Sequence, residues 1–197
     1  MSVTAVVTGS PGPQTFRELR WFIGQDRAEH RRRGQPHLRG LNLVSVSVFR
    51  VGQYTARSRS LLARALTIPW AVVDLVYFRL LLGAEFSRKV NCGPGLVLWN
   101  AGFSSGIADG CTLGSRVLLA GIGLGGGHPR PVVSDDVRLL PGAMIMGSSI
   151  IGPGATLGPQ ALLKNGQVAA GASAEGRPAK TVTGSRPGWA KTHRSSN

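Results

Sequence analysis

From Ile107 onward an apolar residue recurs every six positions, at Ile107, Leu113 and Leu119. The same register resumes at Val133 and runs through Leu139, Ile145, Ile151, Leu157 and Leu163. Four places after these residues stand small residues or valine: Cys111, Val117, Gly123, Val137, Ala143, Ser149, Ala155 and Ala161. A period of six fits neither the 3.6 of a helix nor the 2 of an isolated strand. It fits a solenoid whose short rungs each bury an apolar residue on the rungs above and below. Three hexads close one turn of a β-helix, so residues 107–124, 133–150 and 151–168 read as complete coils, with residues 91–106 an irregular first coil. Small residues follow the inward position at Ala108, Gly114, Ala120, Gly152 and Gly158, where a tight corner has no room for bulk. Between Leu124 and Val133 the register slips by eight residues, and residues 125–132 read as a loop pushed out of a coil. Such loops are where solenoids carry functional groups.

The first half has the helical pattern instead. Residues 16–33 place Phe16, Leu19, Phe22 and Ile23 on one face before Gly34 and Pro36 stop the helix. Residues 41–66 form a second apolar stretch, interrupted by Arg50, Arg57, Arg59 and Arg64. A third helix is expected with Thr67 as cap, Pro69 in its first turn and Gly83 just past its end. Its Trp70, Val73, Val76, Tyr77, Leu80 and Leu81 leave little polar face, so packing on the rest of the chain or another subunit is expected, ahead of shallow contact with lipid. Residues 66–83 fall short of the roughly 20 apolar residues that a bilayer asks for. They also contain Asp74 and Arg79, each costing about 2.5 to 3.5 kcal/mol at a bilayer centre. The expected organisation is therefore mainly β, a β-helix preceded by an α-helical segment. Residues 1–15 form a flexible terminus, 16–90 the Arg-rich helical segment, 91–184 the repeat domain and 185–197 a basic flexible tail.

The net charge of +14 changes the picture less than its size suggests. Residues 1–90 carry 14 Lys/Arg against 5 Asp/Glu, whereas residues 91–180 carry 6 against 4. Without a base-reading motif or interleaved aromatics, no nucleic-acid partner is expected. The basic helical region suits peripheral contact with an anionic membrane. Two cysteines, Cys92 and Cys111, are too few for a disulfide framework and lack zinc-ligand spacing. A cytoplasmic protein without a metal is expected, its only other address the inner membrane face.

These residues resemble the hexapeptide-repeat acetyltransferases, and among them the serine acetyltransferases and their short relatives that acetylate capsular or exopolysaccharide sugars. The resemblance covers about residues 41–184. It rests on Gly95-Leu96-Val97-Leu98, on Leu124-Gly125-Gly126 followed by His128-Pro129, on the hexads from Val133 to Leu162, and on Gly176-Arg177-Pro178-Ala179-Lys180. It implies a left-handed parallel β-helix, a homotrimer with acetyl-CoA in the groove between adjacent subunits, and a small-molecule or glycan acceptor. Acetyl transfer to a hydroxyl needs a base for the alcohol proton, donors for an oxyanion, and a dry slot holding the thioester in line.

In the serine enzymes the principal base is a histidine preceded by an aspartate, in the segment after the opening Gly-x-x-Leu. Here the matching positions are Trp99 and Asn100, and an amide has no basic nitrogen. The dyad is thus replaced, and a catalytically impaired trimeric paralogue stands as an alternative. His128, whose His-Pro context matches a second active-site histidine of the family, becomes the candidate base. It is the only histidine between residues 38 and 192, which also removes the γ-class carbonic anhydrases, solenoids that need three histidines around a metal. Cofactor contacts are expected along the corners at Gly126, Pro141, Gly142, Gly158 and Pro159, with Arg177 and Lys180 meeting the phosphates of CoA.

Overall fold

The computed structural model describes residues 10–33, 39–98, 105–107, 111–119, 122–125 and 130–182 of the 197-residue chain. Three helices lead into a parallel solenoid of short strands. The first coil contains β1 (Glu85–Phe86), β2 (Asn91–Cys92) and β3 (Val97–Leu98). The second contains β4 (Gly106–Ile107), β5 (Thr112–Leu113) and β6 (Leu118–Leu119). The third contains β7 (Gly123–Leu124), β8 (Val132–Val133) and β9 (Arg138–Leu139). The fourth contains β10 (Met144–Met146), β11 (Ile150–Ile151) and β12 (Thr156–Leu157). The fifth contains β13 (Leu162–Lys164), β14 (Gln167–Val168) and β15 (Ser173–Glu175), after which β16 (Lys180–Thr181) turns back antiparallel on β15. Every third strand pairs, so the coils stack into three flat faces of a left-handed prism.

All nine positions of the six-residue register are buried and inward, from Ile107 to Leu163. Two details of the register differ from the sequence reading. The gap of 14 residues from Leu119 to Val133 is not one coil with an eight-residue loop: Leu124 is itself an inward core residue of β7, paired beneath Ile145. The gap is a five-residue step followed by a nine-residue step, so about three residues rather than eight exceed the normal corner between β7 and β8. Because of the short step, Ile122 and not Gly123 fills the interior ahead of Leu124, and Gly123 faces outward. The first coil is also regular and begins at Glu85 rather than Asn91. Phe86, Cys92 and Leu98 are its inward residues, six apart, with Val90 and Leu96 buried four places after the first two.

Corners are tight enough to dictate residue type. A Cβ at Gly114 would come within 2.5 Å of the Asp135 amide nitrogen on the coil above, so no side chain fits there.

Helix α1 (Phe16–Arg32) starts as its sequence predicts, with a reciprocal cap: Thr15 Oγ1 accepts from the Glu18 amide and Glu18 Oε2 accepts from the Thr15 amide. Helix α2 is Arg39–Arg57. The third helix begins earlier than expected. Ser60, not Thr67, is its cap, accepting from the Ala63 amide at 3.1 Å, and α3 runs over Leu61–Val73 before widening into a π-helical stretch, Asp74–Leu81. Thr67 lies inside the helix, its hydroxyl donating back to the Ala63 carbonyl at 3.0 Å, so its side chain is consumed by a bond that cannot cap. Gly83 ends the stretch in the left-handed region with φ +57°, as expected.

The helices close the open end of the prism. The coil-to-coil bonds run from first-coil amides to second-coil carbonyls, Pro94 excepted, so the first coil's carbonyls need donors from elsewhere. Helix α2 supplies the donors: Gln53 Nε2 to the Val90 carbonyl at 2.8 Å, Arg57 Nη1 to Arg88 at 2.7 Å, and Arg50 to Cys92 and Gly93 at 2.9 and 2.6 Å. Arg50 is fully buried and uses all five N–H groups, the others going to Asp26 and to Gln53 Oε1. Asp26 Oδ1 in turn accepts from the Leu96 amide at 2.8 Å. Apolar packing continues the plug, with Phe49 and Phe78 against Phe86 at ring separations of 5.9 and 5.0 Å.

Beside this plug His30 is buried, its Nδ1 2.8 Å from the Asp26 carbonyl while Nε2 has no partner among the described residues. The imidazole is thus neutral with its proton on Nδ1. Burial pushes its pKa below the ordinary value, outweighing the Asp26 carbonyl and carboxylate that favour the charged form. A folded-state pKa below the unfolded one means that stability is complete above about pH 6.5 and declines as the pH falls through that value. Denaturant midpoints measured on either side of it are expected to fall on the acid side in the wild type and to fall less in His30→Gln.

Candidate active site

The prism has three edges, one at each change of face. The edge between the third and first faces includes the connections 140–143 and 158–161, and the turn 176–179 from β15 to β16 stacks above them. Five of the residues expected to hold the cofactor meet here. Pro141 and Gly142 occupy one corner, Gly158 and Pro159 the corner above, and Arg177 the next. Stacking is enforced by main-chain bonds: the Gln160 amide donates to the Pro141 carbonyl at 2.8 Å, and Arg177 Nε donates to the Gln160 carbonyl at 2.7 Å. Pro141, Gly142, Pro159 and Arg177 are exposed, whereas Gly158 is buried. Gly142 is in the left-handed region at φ +75°, and Gln160, its counterpart one coil up, shares that conformation at φ +53°. Lys180 follows at the start of β16, exposed and in register with Glu175.

Asn100 falls in the chain between β3 and β4, and Gly126 and His128 fall between β7 and β8. With Trp99, these three lie outside the described residues. The chain between β7 and β8 belongs to a different edge, the one from the first face to the second. On the coils above, that edge is polar: Asn165 Oδ1 accepts from the Ser148 amide at 3.1 Å, and the buried Ser149 hydroxyl donates to the Met146 carbonyl at 2.6 Å. Between the two edges lies the first face, whose outward row reads Glu85, Gly106, Gly123, Met144, Leu162. Two glycines leave the middle of this face without side chains.

One residue of the ladder was not anticipated. Glu175 Oε1 is buried with no hydrogen-bond partner among the described residues, on the coil above the Gly158 corner. A Cβ at Gly158 would stand 2.6 Å from Glu175 Cγ, so the glycine is what admits the glutamate. The available signal was that Glu175 is the only acidic residue after Asp136. Two cations and bare corners are a donor set suited to an elongated anionic ligand with a neutral arm.

No protein-family model and no curated protein matches the chain. Solved structures do. A serine acetyltransferase in complex with CoA superposes with a TM-score of 0.70 at 20% identity, over 86% of this chain and 72% of that one. Soybean serine acetyltransferase complexed with serine gives 0.62 at 26% identity, over 83% and 69%. The serine acetyltransferase of Neisseria gonorrhoeae gives 0.68 at 20%, over 87% and 67%. Helices and solenoid are both included in these spans, and the chain is accordingly a hexapeptide-repeat β-helix protein with the fold of the serine acetyltransferases.

Proposed function

We propose that the chain transfers the acetyl group of acetyl-CoA to a hydroxyl of a small acceptor, as an O-acetyltransferase resembling serine O-acetyltransferase and working as a homotrimer. The observation that carries this reading is the ladder. Residues assigned to CoA from the sequence stack along one exposed edge of a fold shared with a CoA-bound serine acetyltransferase. An acyltransferase is supported as the reaction class.

In this reading Pro141, Gly142, Gly158 and Pro159 give a slot whose corners let a ligand approach main chain closely, and Arg177 and Lys180 bind phosphate. His128 takes the alcohol proton as the hydroxyl oxygen attacks the thioester carbonyl, and the departing thiolate of CoA is protonated in turn. The ladder and the His128 connection sit on different edges. In this reading the slot lies between adjacent subunits, and a neighbouring copy contributes His128 to it. Head-to-tail contacts form a ring where the rotation closes, three-fold in this reading, and the bare Gly106 and Gly123 positions leave room for a neighbour.

Asn100, standing where the family has its first histidine, favours a second reading, a trimeric paralogue that binds CoA but is catalytically impaired. The acceptor assay separates the readings. With acetyl-CoA and either L-serine or a panel of capsular-type sugars, release of free thiol in the presence of one acceptor is the expected result. A CoA-dependent thermal shift without turnover, with turnover appearing in Asn100→His, supports the impaired paralogue. Absence of both turnover and thermal shift overturns both readings.

A further inference from the structure

Helix α3 and its π-helical continuation form 21 helical residues, Leu61–Leu81, long and apolar enough to cross a membrane by length and composition, yet only 17% of its apolar stretch is buried. The packing anticipated for this helix is therefore confined to one side. There Ala63 and Phe78 are buried, Trp70 Nε1 donates to the Val48 carbonyl at 2.9 Å, and the hydroxyls of Tyr77 and Ser45 meet at 2.9 Å. These contacts tie the helix along α2, and Gly52 of α2 is bare because the Trp70 ring occupies the space of its Cβ. The opposite side shows solvent Leu61, Ile68, Val72, Leu75 and Leu80, with exposures of 52–81%. A contiguous apolar surface of this kind marks an interaction site.

Charge says what covers it. Within residues 10–90 every acidic side chain has an internal partner. Asp26 is held by Arg50, Glu29 by Arg32 and Arg33, Asp74 and Glu85 by Arg79, and Glu18 by the first amides of α1. Arg17, Arg20, Arg27, Arg31, Arg59 and Arg64 have no acidic partner among the described residues. Arg64 stands three residues after Leu61 and four before Ile68, on the same helical stripe, and Arg59 directly precedes the cap. A second copy laid on this face would bring unpaired arginines against their own kind. A surface with apolar depth and negative headgroups satisfies both features at once.

We propose that this face docks on an anionic phospholipid surface, the helix lying in the headgroup plane with Leu61, Ile68 and Val72 in the acyl boundary and Arg59 and Arg64 on phosphates. The inference is independent of the acyl-transfer reading. It is tested on the full chain by co-sedimentation with phosphatidylcholine vesicles, with and without phosphatidylglycerol. Binding to the mixed vesicles, weakened by salt and small on phosphatidylcholine alone, is expected. Leu61→Ser/Ile68→Ser is expected to lose at least about tenfold in partitioning, and Arg64→Gln about fivefold, both with thermal midpoints unchanged because the three side chains are exposed. Wild-type protein that stays in the supernatant, or that binds neutral and anionic vesicles equally, overturns the proposal. So does a double variant that keeps its vesicle binding but, in sedimentation velocity without lipid, runs as a smaller assembly than the wild type, since the face then belongs to a second copy.

Discussion

Arg50→Met is expected to destabilise the protein by about 3–5 kcal/mol, read as the shift of a denaturant midpoint at constant m value. Methionine keeps the apolar stem of the side chain and removes the guanidinium, so the lost hydrogen bonds and charge weigh more than the lost packing. Removing the guanidinium leaves Asp26, 1% exposed, as a lone carboxylate in the plug. It also strips the Cys92 and Gly93 carbonyls of their donors and Gln53 of its partner. A buried ion pair is weak evidence of net stabilisation, but breaking one is costly because the surviving charge has no water. The double variant Arg50→Met/Asp26→Asn is therefore expected to recover part of the loss, a non-additivity that a purely steric effect would not produce. A loss under about 1 kcal/mol for the single variant would show that the network contributes no more than an exposed pair.

Cys92 reports on the same plug. Burial pushes its thiol up to about 11, the neighbouring guanidinium of Arg50 offsetting only part of that rise. The thiolate needed for alkylation is thus scarce at neutral pH. Thiol labelling is expected to be slow in the wild type and faster in Arg50→Met, where the end of the prism opens more often.

Arg50 also shows where the sequence was hard to read. Within an apolar stretch an arginine looks like an interruption, and nothing local says that two of its five donors meet coil carbonyls more than 40 residues away. The inward register from Ile107 to Leu163 was legible because stacked identical positions must repeat. Phe86, Cys92 and Leu98 obey the same six-residue rule, but a nine-residue step separates them from Ile107 and breaks the run. Likewise the five-residue step to Leu124 hid one coil face inside what looked like a long loop, because a fixed period cannot register a deletion followed by an insertion. The start of α3 was misplaced for a different reason. Thr67 and Pro69 have the right identities for a helix start, yet the competing cap at Ser60 lies about two turns upstream and is followed by Leu61, Leu62 and Ala63, none of which marks a first turn. Along the candidate site, the corner residues Pro141, Gly142, Gly158 and Pro159 were readable from the hexads. Glu175 was not, because its burial depends on a glycine 17 residues earlier.

His128→Ala is expected to lower the turnover number about 100- to 10,000-fold, the range for removal of a general base, while leaving the thermal midpoint and the CoA-dependent shift in place. The expectation follows from the proposed role: with Asn100 unable to accept a proton, no second imidazole in the repeat region stands ready to replace it. The pH profile distinguishes a base from a residue that merely shapes the loop. An imidazole accepts a proton only when neutral, so wild-type kcat/KM should rise with pH to a plateau above about pH 6.5, and that acid limb should vanish from the residual activity of the variant. Equal rates in the two proteins would take His128 out of the chemistry. A reduced rate with the limb intact would place it among positioning residues instead, because the titrating group would then lie elsewhere.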